Sequence, residues 1–127
     1  MEKTDSKELN KNALQTRKIA LQIIHTVLDK NQPLDQVFDN SNGFIGLSEQ
    51  RDRAFVKMLA TTTIRHLGQI DNLITKTLKS PDQEMKPAIL QHVLRLGVCQ
   101  IVFMDVPDYA AVDNMVTLTE NIKPVSY

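Results

Sequence analysis

The chain has 127 residues, which is enough for one domain around a single core and too few for two. Its 42 % hydrophobic and 24 % charged residues are ordinary for a soluble fold, and 15 basic against 15 acidic groups cancel, which excludes a uniformly basic nucleic-acid binder. A single cysteine excludes an internal disulfide, and the polar start "MEKTDSKELNKN" lacks the apolar segment of a secretory signal.

The elements are helical from the start. After a polar tail over 1–12, a domain is expected over 13–127. From Ala13 onward Ile19, Ala20, Ile23, Ile24, Val27 and Leu28 recur at spacings of three and four, the stripe of a long first helix that Asn31 and Pro33 end. "PLDQVFD" predicts a short second helix with Pro33 in its first turn, and "NSNGFIG" predicts a loop. Ser48 is placed to cap a third helix carrying Phe55, Met58, Leu59, Thr62 and Leu67, which Gly68 is expected to end in a left-handed conformation. "QIDNLITKTLKS" predicts a fourth through Ile70, Leu73, Ile74 and Leu78, closed by Ser80-Pro81.

A fifth helix is expected from Pro87 to about Met104. Its apolar residues cover more than one face, so it should be central, with Gly97 marking a close crossing. Arg95, Gln100 and Asp105 interrupt this run before it reaches the length of a membrane span. Pro107 forces a turn, and "DYAAVDNMVTLTENI" restarts as a sixth helix with Ala110, Ala111, Met115, Val116 and Leu118 available for packing. The reading is an all-α bundle of about six helices, with strand signals almost absent.

Chemistry is hard to find. Cys99 lies in the most apolar helix with no immediate basic neighbour, so burial should keep it a neutral, inert thiol. His25, His66 and His92 fall on three different predicted helices, and no Cys/His cluster has zinc spacing; His25 and His92 are read as hydrogen-bonded interior or boundary residues. Asp52 between Arg51 and Arg53 suits the first turn of a helix. Phosphate loops, dinucleotide fingerprints and the Gly-x-Ser-x-Gly elbow are absent. A cytosolic, metal-free and non-catalytic domain is expected. Charge is uneven along it: Lys3, Lys7, Lys11, Arg17 and Lys18 dominate the start, while the charges from Asp105 to Glu120 are all acidic.

Three segments carry a resemblance. "TRKIALQIIHTVL" (16–28), "LSEQRDRAFVKMLATTTIRHLGQIDNLI" (47–74) and "LRLGVCQIVFMDVPDYAAVDNMV" (94–116) occur in the order found in NusB-like RNA-binding domains. The version at the amino terminus of the RsmB (Sun, Fmu) ribosomal RNA cytosine-C5 methyltransferases is the most similar. The resemblance implies an all-helical NusB-like bundle that helps engage ribosomal RNA, with S-adenosylmethionine and the catalytic cysteines confined to a separate methyltransferase domain. Lys11, Arg17 and Lys18 would then bind phosphate, and Arg65 would extend the patch or meet the terminal carbonyls of its helix.

The opening helix is poorer in arginine than in NusB proteins, so RNA binding by this domain alone is expected to be weak. Alternatives are a freestanding NusB antitermination factor partnered by ribosomal protein S10, and a protein-interaction module. The chain also stops before a final family helix, which suggests a truncated chain, a fragment or a natural remnant. The apolar surface so exposed would favour a homodimer.

Overall fold

The computed structural model describes residues 2–77 and 88–120, with side chains from residue 11 onward. Seven helices occur among them and no strand: α1 (Glu2–Asp29), α2 (Leu34–Asn40), α3 (Asn42–Ile45), α4 (Gln50–Arg65), α5 (Leu67–Thr77), α6 (Ile89–Phe103) and α7 (Asp108–Glu120). The all-α bundle expected from the periodicity is what forms, with one helix more than counted. The stretch read as a polar tail continues α1 without a break. Ser80-Pro81 and Pro87 lie outside the described residues.

The core is built by the stripe of α1. Ile19, Ile23 and Ile24 are fully buried and meet Val56 and Leu59 of α4, Ile70 of α5 and Leu96 of α6 in one apolar cluster. α1 packs on α2, α4, α6 and α7, while α6 packs on α1, α4, α5 and α7. α6 is central, as its composition implies, yet its outer stripe of Leu94, Ile101 and Val102 is exposed. Leu94 and Ile101 with Val112 and Val116 of α7 line an apolar groove of about 290 Å³.

Chain reversals follow local chemistry. Asn31 and Asp105 are the described residues with φ in the left-handed region, at 54° and 61°. After α6 the amide of Val106 bonds the carbonyl of Gln100 at 3.1 Å across Asp105, closing the helix before Pro107 could disrupt it. A Cβ on Gly97 would lie 3.3 Å from Met115 Cγ, so the expected close crossing is the one between α6 and α7.

Three local expectations are corrected. "NSNGFIG" holds a one-turn helix, α3, because Ser41 Oγ accepts the Phe44 amide at 3.2 Å and Gly43 lets α3 approach Ile19 of α1. The cap position of α4 is Glu49, not Ser48, and makes no side-chain capping bond; the Arg53 guanidinium instead donates to the Leu47 carbonyl and ties down the entering chain. Gly68 is inside α5 with negative φ. The break falls at His66, whose amide bonds Thr62 and whose carbonyl accepts the Ile70 amide, so the two helices join almost end to end.

Candidate nucleic-acid interface

Arg17 and Lys18 are consecutive on α1 and therefore diverge. The spacing 13, 17, 20, 24 puts Arg17 on the apolar stripe, and it is only 7 % exposed. Its Nε donates to Gln100 Oε1 at 2.8 Å, its Nη1 donates to the Ala13 carbonyl at 3.1 Å, and its guanidinium lies 4.7 Å over the Phe55 ring. Burial lowers its pKa from the ordinary arginine value. Gln100 completes the tie by donating from Nε2 to the Leu96 carbonyl at 3.0 Å. Arg17 is thus an internal connector between α1, α4 and α6, whose edge forms a ridge between two surface hollows.

The smaller hollow, about 260 Å³, lies between α1 and α4, with Asn12, Thr16, Arg51, Asp52 and Phe55 around Arg17. The larger, about 800 Å³, lies between α1 and α7 and is bordered by Lys11. Lys11, Lys18 and Arg51 are exposed. Arg65 is exposed in the last turn of α4, about 21 Å along that helix from Arg51 at 1.5 Å per residue, so the fold does not gather it with the others. Arg51 escaped the sequence reading as a surface cation because its neighbours Asp52 and Arg53 suggested only helix-end electrostatics.

The histidines are engaged. His66 stacks on Phe103 at 4.2 Å between ring centres and bonds Gln69 through Nδ1. His25 Nδ1 and His92 Nε2 both meet Asp29 Oδ2, at 2.6 and 3.0 Å. The fold therefore brings together a His25–Asp29–His92 group whose donor atoms lie within 4.8 Å of one another, a proximity the sequence spacing hides. Its chemistry does not suit a metal. Arg95 Nη1 donates to His92 Nδ1 at 3.1 Å, which leaves the ring proton on Nε2 and no lone pair there for an ion. The same guanidinium grips Asp71 with two bonds of 2.7 and 2.8 Å, so the group is one end of a network joining α1, α5 and α6.

Cys99 is fully buried, with Sγ 3.9 Å from the Leu59 carbonyl, and desolvation raises its pKa. It is placed as a packing residue. Among the described residues, no helix is long and apolar enough to cross a membrane.

Comparison with known proteins fits this geometry. The NusB family model matches residues 14–124, from the first core turn of α1 to beyond α7. The chain belongs to the NusB family. It is also 29 % identical over 101 residues to ribosomal RNA small subunit methyltransferase B of Yersinia enterocolitica, and equally to the proteins of that name from Yersinia pseudotuberculosis and Yersinia pestis. The aligned stretch is 80 % of this chain but 23 % of each relative, so the chain spans about a quarter of their length. No solved structure matches. The internal Arg17–Gln100 tie thus joins the opening and the Leu-Arg-Leu-Gly segments of a NusB bundle, two of the stretches on which the resemblance rests.

Proposed function

We propose that this chain is a non-catalytic, RNA-binding NusB domain that helps a ribosomal RNA cytosine-C5 methyltransferase engage its RNA. The reading is carried by the family match together with the exposed cations around the start of the bundle. Lys11 and Lys18 bind phosphates through charge-assisted bonds, Arg51 adds a third cation, and Arg17 positions the wall between the two hollows. Arg65 serves at most a separate contact. Catalysis and S-adenosylmethionine belong to a methyltransferase domain, and a buried thiol with a raised pKa supplies no nucleophile here.

The test is binding to a small-subunit ribosomal RNA fragment at several salt concentrations. Replacing Lys11 and Lys18 with alanine is expected to weaken binding and to flatten the plot of log affinity against log salt by about 1.4 for single strands. Unchanged affinity and slope would remove both lysines.

The α6–α7 groove favours a second reading, a module that docks protein. In that role the domain associates with its methyltransferase domain or a second copy through Val112 and Val116. Val116→Asp is then expected to abolish the association seen in sedimentation while leaving RNA affinity unchanged; association that survives the change places the interface elsewhere.

A further inference from the structure

The crevice between α1 and α7 has a chemical asymmetry that phosphate binding does not explain. Lys11 and the Arg17 ridge form one side, while Tyr109, Asp113, Asn114 and Thr117 form the other. Tyr109 is 79 % exposed, whereas Phe38, Phe44, Phe55 and Phe103 are all buried or half-buried. A large ring standing in water in the same crevice as the exposed Lys11 is a surface on which a planar base can stack.

The α7 wall is rich in acceptors. Asn114 spends one Nδ2 hydrogen on the Ala110 carbonyl at 2.8 Å and keeps its Oδ1 acceptor beside the second Nδ2 hydrogen. Thr117 Oγ1 spends its hydrogen on the Asp113 carbonyl at 3.0 Å and keeps only lone pairs, and the Asp113 carboxylate accepts by nature. Such a wall repels phosphate and matches an edge rich in N–H groups. Guanine presents adjacent N1–H and N2–H donors, which a carboxylate can accept as a pair. Uracil offers a single N–H flanked by two carbonyls, which the same wall disfavours.

Resting on the RNA-binding reading, we propose that this crevice holds one unpaired guanine of single-stranded RNA. The ring stacks on Tyr109, the Watson–Crick edge faces Asp113, and the adjoining phosphate lies on Lys11.

Fluorescence anisotropy with labelled ten-nucleotide RNAs tests this, using an all-uridine strand, the same strand with one central guanosine, and one with inosine there. The guanosine strand is expected to bind best, with inosine, which lacks the 2-amino group, in between. Tyr109→Ala should weaken guanosine binding about tenfold with an unchanged thermal melt, because the side chain is exposed, while Tyr109→Phe should retain it. Asp113→Asn should bring the guanosine-to-uridine ratio close to one. Equal binding of all three strands, or Tyr109→Ala binding like the wild type while Lys11→Ala weakens, overturns the guanine site and leaves the RNA reading standing. No binding of any strand or of the ribosomal RNA fragment overturns both.

Discussion

Arg17→Ala is expected to lower the unfolding free energy by about 2–3 kcal/mol, with a fall in Tm of roughly 10 °C. The variant removes a buried charge, which by itself is a gain, since desolvation already depresses the Arg17 pKa. Against that, it strips the Gln100 Oε1 acceptor of its 2.8 Å donor inside the core and uncovers one face of Phe55, while the Ala13 carbonyl keeps its bond from Thr16 Oγ1. An orphaned buried acceptor costs the full desolvation of that group, so the losses outweigh the gain. Arg17→Met keeps most of the aliphatic stem and loses the bonds; it should recover the packing part alone. Lys11→Ala and Lys18→Ala, at exposed positions, should stay within about 0.5 kcal/mol of wild type. Thermal melts with RNA titrations of all four variants check this. Collapse of RNA affinity in Arg17→Ala without any change in Tm would make Arg17 a phosphate ligand and dissolve its internal role.

The same arginine shows what the sequence makes legible. Helix positions follow from apolar spacing, because an amphipathic stripe has few ways to be buried, and the α1 stripe is buried as its period demands. Arg17 occupies that stripe too, but a cation among basic neighbours reads as surface unless its partner is known, and Gln100 is 83 residues away. Tyr109 falls at the start of the segment "DYAAVDNMVTLTENI", whose period is read for packing. The buried Ala111, Met115 and Leu118 define the inner face of α7 and leave position 109 outside, a signal present in the period but visible only once the inner face is fixed. Glu49 and His66 were missed for a different reason: helix ends depend on which neighbouring groups satisfy the terminal amides and carbonyls, and here Arg53 and the α4–α5 continuation replace the side-chain cap and the glycine. The His25–Asp29–His92 convergence depends on α1 and α6 lying side by side, which no local pattern encodes.

Arg95→Met is the other change expected to be costly, by about 2–3 kcal/mol in denaturant unfolding with the m-value unchanged. Arg95 holds Asp71 by two bonds and donates to His92, so it ties α6 to α5 while fixing the tautomer with which α6 reaches α1. Its loss leaves the half-buried Asp71 carboxylate without its cation and His92 Nδ1 without a donor. Adding Asp71→Asn to the methionine variant should recover part of the loss, since the stranded charge is then gone, and a double-mutant cycle should show positive coupling. Additive losses would mean the pair contributes nothing as a pair. Acid separates the two halves of the network. The bond from His92, chiefly, and that from His25 hold the Asp29 pKa below its ordinary value. A carboxylate depressed in the folded state stabilises the fold above its unfolded pKa of about 3.9, and that contribution disappears as pH falls through the lower folded value. Asp29→Asn should therefore flatten the stability profile below about pH 4, whereas Arg95→Met should lower the profile at neutral pH and keep an acid limb, because the His25 Nδ1 contact with Asp29 does not involve Arg95.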